Sequence, residues 1–526
     1  MFFSLINKIR FILHNKSLFI TNKNSENTIL VEYYDHKPTL VAYSYFANVI
    51  ARKYNLKIVG YFPNFLNISK YLIDIIKKKI FLGNHQIYRS FGATDIVRPY
   101  KKFFKKKKFL LEFSRKKREI TSKKKLLDLK IDKIPIGDLI YDEYLRRFNE
   151  TTIDIKSKKF LNFLQDTIEL FYYWKDYILK NNVKAIIHSH TCYNLGLPGR
   201  IGIFLNCKVY NLGMIYAYRL SKKNLLRSSK FSKYPLVFNF LKSKIKKNLY
   251  LLAKKELNKK FSGRSDVMQI FNQRQDFKSF SKKNSINLKK NLNTKKNKIL
   301  VAAPCFTDAP HSYGANLFND FHEWMEFIGK ISDKSDFEWL IKLHPAHYDR
   351  NYNAIKSFVA RFSKLILLPK FVTHNQIIKE KISAVLTVYG SVAHEYPLFN
   401  IPVINSSINN PHIAYSFCYN PSSKKELKKL LLNVQKLKFS ITKKQKKEIY
   451  EYYYTRLMSE YFFPNYKKIA TKLKNQTDSS EFYIEWIQSL NKKLHLKIIE
   501  DCSKFINSGK FRMLSDNTSK YSKLII

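Results

Sequence analysis

Short apolar, β-branched runs alternate along this chain with stretches whose apolar residues recur at three and four positions, the rhythm of βαβ units in a parallel sheet. From Ile29 onward, a strand is expected at Thr39–Tyr43, a helix at Phe46–Tyr54 and a strand at Lys57–Phe62, with Lys78–Leu82 and Gln86–Gly92 continuing the series. A helix follows at about Phe160–Leu179, and then a buried strand, Lys184–His190, that ends in polar residues. Gly196 and Gly199 lie before a further unit closing at Lys208–Leu212. The rhythm restarts at Lys298–Pro304. A helix at Leu317–Ile331, a strand at Phe337–Leu343, a helix at about Tyr352–Phe362, a strand at Lys364–Pro369 and a short helix at Asn375–Lys381 come next. An apolar run from Ala384 then ends at Gly390-Ser391, and after a short helix a last run occupies Ile401–Ile404.

Between the two series, apolar Leu241, Ile245, Leu249 and Leu252 are spaced by four, four and three with lysines between, so 236–261 reads as an amphipathic basic helix. A polar stretch rich in Lys, Asn and Ser follows it to about Lys298. The expected organisation is a lead-in at 1–28, a Rossmann-like acceptor domain at 29–235, a basic helix and linker at 236–297, a second Rossmann-like domain with terminal helices at 298–475, and a tail at 476–526. The fold class is α/β, two doubly wound domains facing across a cleft, with a helical C-terminal region.

Length and composition alter this picture in several ways. The 526 residues suffice for two or three domains with sizeable cores. A formal net charge of +56 suggests nucleic acid, an anionic surface or an acidic substrate, although heavy use of Lys and Asn throughout the chain explains part of it. The basic clusters of 105–125, interleaved with Phe103, Phe104, Phe109 and Phe113, read as a solvated helix with one buried face, and no nucleic-acid-binding signature accompanies them. The five cysteines are scattered and form no metal-ligand or disulfide pattern, as expected of free thiols in a reducing compartment. No uncharged run reaches the ~18 residues of a membrane span, so a cytoplasmic protein is expected, at most peripheral at the inner face of the cell membrane.

In open α/β sheets ligands sit beyond the carboxyl ends of the strands. Lys342 and His344-Pro345 stand at one such end; Gly390-Ser391 stands at another, at a helix start whose backbone N–H groups suit a phosphate. Glu395 lies four residues after Ser391, so both can face one side, and a carboxylate there can accept ribose hydroxyls. Pro397 breaks the helix soon afterwards, leaving it short or bent. In the first domain, His188, Ser189, His190 and Arg200 lie near a strand's carboxyl end, where an acidic or hydroxyl-bearing substrate would be met. Asp308, His394 and His412 are supporting candidates.

In Lys342-Leu-His-Pro345, Thr387-Val-Tyr-Gly-Ser-Val-Ala-His-Glu395 and Ile401-Pro-Val-Ile404, the chain resembles the bacterial surface-polysaccharide glycosyltransferases of GT-B architecture, in particular the capsule-synthesis family related to Kdo transferases. The likeness covers about residues 298–425. In the first half, Tyr88–Gly92 and Gly137–Asp142 are similar to segments of surface-carbohydrate proteins. The resemblance implies transfer of a sugar from a nucleotide-sugar donor to a glycan or lipid-linked acceptor of capsule or lipopolysaccharide type, without a metal or resident cofactor. By the same resemblance, His344, Gly390 and Ser391 contact the donor phosphate and Glu395 the nucleotide sugar, with Lys342 and Pro345 beside them. Ser189 and Arg200 fall on the acceptor side, and His188, His190 and Asp308 are the catalytic candidates. A polyol-phosphate transferase of teichoic-acid type, a sugar-nucleotide epimerase, and a non-enzymatic basic scaffold on membrane or RNA are the alternatives. Nucleic acid is not an expected partner of the enzyme; an anionic membrane surface would be met by the basic helix.

Overall fold

A computed structural model of the chain describes residues 2–19, 24–79, 83–100, 107–239, 241–264, 279–281, 292, 296–344, 348–458, 463–474 and 476–514. In chain order the strands are β1 (Thr28–Glu32), β2 (Lys57–Tyr61), β3 (Ala93–Val97), β4 (Lys130–Ile131), β5 (Ile134–Pro135), β6 (Val183–His188), β7 (Lys208–Gly213), β8 (Tyr216–Leu220), β9 (Lys298–Ala303), β10 (Glu338–Leu343), β11 (Leu365–Leu367), β12 (Ile382–Thr387) and β13 (Val403–Asn405). They build a six-stranded sheet of order β3-β2-β1-β6-β7-β8, a five-stranded sheet of order β11-β10-β9-β12-β13, and the small β4-β5 hairpin. Every pairing within the two large sheets is parallel except β7 with β8. Each large sheet therefore starts at its centre, winds outward one way, and reverses. The reversal points lie between β1 and β6 and between β9 and β12, and these are the crevices where doubly wound sheets take ligands.

The central strands β1 and β9 are largely apolar because both faces are covered. Ile29 and Val31 of β1 enter one core and Leu30 the core on the opposite face; in β9, Ile299 and Val301 are divided from Leu300 in the same way. This two-sided burial explains why the runs show no polar alternation.

In the first domain the element boundaries differ from those expected of the sequence. Thr39–Tyr43 is helical, within Lys37–Tyr54. Pro38 sits in its first turn, where a missing N–H is harmless, and Asn55 ends it at φ 50°. The first strand is instead Thr28–Glu32, at the edge of the stretch read as a lead-in. Residues 86–92 hold the helix His85–Ser90, with the strand just after it, and the helix Ile68–Lys79 takes up the start of the segment expected as strand 78–82, whose residues 80–82 lie outside the described residues. Of the basic segment, Lys107–Glu119 and Lys123–Leu127 are helices, with Phe109 buried against Tyr172 at 5.3 Å; residues 101–106, including Phe103 and Phe104, lie outside the described residues. The expected basic helix is divided into Tyr234–Asn239 and Ser243–Phe261.

Described segments from the first and last parts of the sequence join the first domain. The helix Phe2–Leu18 stacks Phe11 on Tyr483 at 4.3 Å. Residues 476–514, set apart above as a tail, form the helices Glu481–Ser489 and Lys492–Ser508, which bury Phe482, Trp486, Cys502 and Phe505 in the core beneath the helix Lys37–Tyr54. The polypeptide crosses from the first domain to the second between β8 and β9. It returns between Met458 and Phe463, where the helix Lys443–Tyr453 loosens into a π-helical turn, Tyr454–Met458, and Phe463 N–H bonds to the Met214 carbonyl at 3.0 Å.

The domains are locked together by the helix Gly137–Phe148. Gly137 starts it where a Cβ would lie 2.0 Å from the Leu126 carbonyl oxygen, a packing open to glycine alone. Its Asp142 is buried and meets His311 of the loop after β9: His311 Nδ1 lies 2.6 Å from Oδ1, and the His311 N–H donates to the same carboxylate at 3.3 Å. His311 Nε2 faces the Asn319 carbonyl at 2.9 Å and so must donate. Burial by itself would lower the imidazole pKa, but the Asp142 carboxylate overrides it and raises it. One residue earlier, Tyr141 donates to Asp320 Oδ2 at 2.6 Å, and Lys123 reaches the same oxygen at 3.3 Å. Asp320 also caps the helix Phe321–Ser332 through the Glu323 N–H.

Removing one partner of such a buried pair strands the other. Asp142→Ala is expected to destabilise the protein by about 3–5 kcal/mol, against about 1 kcal/mol for Tyr141→Phe. Calorimetric melts of the two variants check this, and equal, small losses would show that the pair does not hold the domains.

Candidate functional site

The carboxyl ends of the two sheets meet at their reversal points. After β9, the loop carrying Asp308 and His311 runs against the first domain; after β6, the loop Ser189–Leu195 runs against the second. Tyr193 donates to Asp308, and Cys192, Tyr193 and Ala309 form a small apolar contact between the loops. Tyr193 is held at φ 59°, ψ −175°, a region that non-glycine residues rarely occupy, and Ala309 at φ 42° also lies left-handed.

On the second-domain side, Lys342 is buried near the end of β10 and donates to the Val372 carbonyl at 2.8 Å, and burial lowers its pKa to about 8. His344 follows it, exposed to solvent; Pro345 lies outside the described residues. Across the reversal point, Thr387 Oγ1 donates to the Ala302 carbonyl and accepts the Gly390 N–H, both at 3.2 Å. A Cβ on Gly390 would stand 2.7 Å from that hydroxyl, so glycine is needed for this clasp. Ser391 is exposed. The helix beyond is one turn, Val392–Glu395, and passes into a 3₁₀ turn, Tyr396–Phe399, that accommodates Pro397. The dipole of so short a helix is small, and the Gly390 N–H is already used, so a phosphate here would rely on side chains and the remaining backbone N–H groups.

Glu395 is buried and paired with Lys260 of the helix Ser243–Phe261 at 2.6 Å. Burial works to raise its pKa, and Lys260 outweighs it, so the carboxylate stays ionised. The same cluster holds His374, whose Nδ1 is 2.7 Å from the Tyr396 hydroxyl; burial, with help from Lys342, drops its pKa to about 3. The structure thus gathers Lys342, His344, Glu395 and His374 into one electrostatic neighbourhood. Neither His374 nor Lys260 stands out in the sequence, since one is a lone histidine and the other one lysine of many. His394 and His412 pair with each other at 3.2 Å beside Tyr452, deep in the core, where burial keeps both neutral.

On the first-domain side the expected residues part company. His188 is enclosed, its ring packed on Gly199, and burial lowers its pKa to about 4. His190 reaches the seam; its Nδ1 lies 2.6 Å from Ser189 Oγ, and burial lowers its pKa to about 3. Arg200, expected on the acceptor side, is committed elsewhere. It is buried in a bidentate pair with Asp138 at 2.9 and 3.1 Å and donates to the Pro135 carbonyl, tying two helices and the β5 turn together.

Glu32, at the end of β1, was not legible as a site residue. It is buried at the reversal point, accepts the Ser189 N–H through Oε2, and leaves Oε1 without a hydrogen bond. Burial raises its pKa to about 7. Beyond the ends of β1 and β2 opens a cavity of about 430 Å³ lined by Tyr33, Asp35, Phe62, Lys70, Asp74 and Asn84. Tyr33 stacks on Phe62 at 4.4 Å, giving it an aromatic wall.

No protein-family model and no curated protein matches this chain. Among solved structures it is similar to the UDP-GlcNAc 2-epimerase of Methanocaldococcus jannaschii in complex with UDP-GlcNAc and UDP, at 10% identity and TM-score 0.26, over 81% of this chain and 97% of that one. It is also similar to the KpsC β-Kdo 2,7 transferase of Thermosulfurimonas dismutans, at 10% identity and TM-score 0.33, over 57% of this chain and 88% of that one. A β-Kdo 2,4 transferase from the same organism gives 9% identity and TM-score 0.30, over 52% and 80%. The GT-B-like assignment rests on the strand orders and facing sheet ends described above.

The native state binds a proton at Glu32 below about pH 7, whereas an unperturbed glutamate does so near 4.5. Across that window the folded protein holds more protons than the unfolded one, so stability falls as pH rises. Glu32→Gln keeps an acceptor for Ser189 and carries no charge. It is expected to melt higher than the parent at pH 8 and to lose that advantage at pH 5; a pH-independent difference would mean that Glu32 does not titrate in this window.

Proposed function

We propose that this protein is a glycosyltransferase that moves a sugar from a nucleotide-sugar donor, held by the second domain, to a glycan acceptor presented by the first. The observation that carries the reading is the Asp142–His311 lock, which sets the reversal points of two doubly wound sheets against each other. Departure of a nucleotide places negative charge on its phosphates, and stabilising that charge is the main demand of the reaction. Lys342, His344 and the Gly390-Ser391 backbone stand at the strand ends where those phosphates would lie. Glu395 is ionised, as a ribose-binding carboxylate must be, but Lys260 covers it, so that role requires the lysine to give way.

The acceptor hydroxyl must lose a proton. His188 is too enclosed to reach it, whereas His190 and Asp308 both lie at the seam between the loops. The aromatic cavity beyond β1 and β2 suits the face of a sugar ring. Capsule or lipopolysaccharide glycans are the acceptor class implied by the motif resemblance. On the helix Ser243–Phe261, Leu251 and Leu252 are exposed among lysines, the composition of a surface that meets an anionic bilayer. Among the described residues, no helix is long and apolar enough to cross a membrane.

Three measurements test this reading. Titration with a panel of nucleotides and nucleotide sugars is expected to find a ligand whose affinity falls at least about tenfold, roughly 1.4 kcal/mol, in both His344→Ala and Gly390→Ala; unchanged affinity in both would remove the donor site from this place. Mass detection of products is expected to show sugar added to a glycan, with a loss of roughly 10²–10⁴-fold in rate for whichever of His190→Gln and Asp308→Asn removes the base. Conversion of the donor without an acceptor would instead indicate an epimerase. Flotation with vesicles containing anionic lipid is expected to be salt-sensitive and weakened by Leu251→Ser with Leu252→Ser; absence of binding would leave the helix a packing role only.

A further inference from the structure

We propose that Ser189 and Glu32 are positioning residues for His190, joined to it in a chain through which the charge state of Glu32 decides which ring nitrogen of His190 carries the proton. That His190 serves as base rests on the transferase reading; the chain rests on hydrogen bonds at the reversal point of the first sheet.

Ser189 is held at each of its polar atoms. Its N–H donates to Glu32 Oε2, its carbonyl accepts the Tyr216 hydroxyl at 2.9 Å, and its Oγ lies 2.6 Å from His190 Nδ1. That hydroxyl also bonds to the Glu32 carboxylate, so it stands between an acid and an imidazole. Glu32 Oε1 is buried without a hydrogen bond, and Glu32 forms no ion pair with any described residue. The His190 ring is set between Tyr34, edge-on at 6.0 Å, and Tyr193 at 6.5 Å. It is half-buried, and its Nε2 has no hydrogen bond to a described residue. Asp308, the other candidate base at the seam, already accepts the Tyr193 hydroxyl.

A serine hydroxyl has one proton to give and lone pairs to accept with, so its two neighbours cannot both receive that proton. When Glu32 is ionised the proton goes to the carboxylate, because a hydrogen bond to a charged oxygen is the stronger. Ser189 Oγ then accepts the Nδ1–H of His190, and the lone pair on Nε2 is free for an acceptor hydroxyl. When Glu32 is neutral, the Ser189 hydroxyl turns to Nδ1 and the ring proton moves to Nε2. In that form His190 can take nothing from an acceptor. Burial places the change at about pH 7, and the bonds from Ser189 offset burial only in part. The groups facing Glu32 do not titrate near it: Tyr34, Tyr43, Tyr61 and Tyr88 are phenols raised further by burial, and burial keeps His188 neutral. Around His190, burial and then the charges of Arg227 and Arg146 hold the ring uncharged, against the pull of Asp308. Its proton changes place while its charge stays the same.

The same chain balances the protons of the transfer. The acceptor oxygen forms a bond to the anomeric carbon of the donor, and the bond from that carbon to the phosphate oxygen breaks, its electron pair leaving with the nucleotide. The acceptor proton passes to His190 Nε2, the Nδ1 proton to Ser189 Oγ, and the Ser189 proton to the Glu32 carboxylate. No step leaves an imidazolium, which the charges of Arg227 and Arg146 oppose. The Glu32 carboxylic acid returns its proton to solvent by the same path in reverse.

The test is nuclear magnetic resonance of the full-length protein carrying nitrogen-15-labelled histidine, read from pH 5 to 9, with His190→Gln identifying the ring signals. The ring is expected to carry its proton on Nδ1 at pH 8 and on Nε2 once the pH has fallen through about 7, without becoming imidazolium. In Glu32→Gln it is expected to hold the Nε2–H form throughout. Ser189→Ala should break the pH dependence, and Ser189→Thr, which keeps the hydroxyl, should retain it; cooperative melts report that each variant is folded. Sugar transfer, followed by mass, is expected to rise over the same pH range in the parent, and to be at least about tenfold slower at pH 8 in Glu32→Gln, with no rise. A ring that keeps one tautomer from pH 5 to 9, or that still switches in Glu32→Gln or in Ser189→Ala, overturns the proposal. Sugar transfer whose pH dependence survives Glu32→Gln does the same and leaves the transferase reading intact. A switching ring in a protein that binds no nucleotide sugar and transfers no sugar overturns that reading and leaves the chain standing.

Discussion

The seam is centred on one buried ion pair, Asp142 with His311. The contact is costly, since both groups are removed from water, and only the convergence of three donors and acceptors on it makes it hold: the His311 backbone N–H, the ring Nδ1 and the Asn319 carbonyl. Its value is positional. The pair stands at the seam, where the loops after β6 and β9 touch and Tyr193 finds Asp308.

A second constraint comes from how the chain is spent. The helices that close the sequence are not appended to the second domain; they complete the core of the first, beneath the helix Lys37–Tyr54. The helix Ser243–Phe261 serves the other side in a similar way, resting on the helix Lys443–Tyr453 and placing Lys260 on Glu395. A residue given its nucleotide-sugar role by motif resemblance is thus paired with a cation 135 positions away.

How much could be read beforehand follows from what is local. The strands of the second domain are runs buried on both faces and bounded by polar loops, so Lys298–Ala303, Glu338–Leu343 and Ile382–Thr387 fall within a residue or two of their expected places. The first domain was harder because Thr39–Tyr43 combines β-branched and apolar residues that also suit a helix packed on all sides, and tertiary burial decided for the helix. The placement of Lys342, His344, Gly390 and Ser391 at strand ends was legible because strand ends and glycines mark themselves. The burial of Glu32 and His374 was not, since it is not written in spacing. Arg200 shows the converse: it stands at a strand end as a ligand-binding arginine would, but Asp138 lies close enough to claim it.

The two passages of the chain between the domains, one between β8 and β9 and the other between Met458 and Phe463, have a mechanical meaning. A body joined to its neighbour by a single strand can swivel in any direction, whereas one joined at two separate points moves as a door moves, about the line through both pins. Rotation about that line would have to break the Asp142–His311 pair that joins the two bodies. The π-helical turn at Tyr454–Met458, directly before the second pin, is where such a swing would find slack in the backbone.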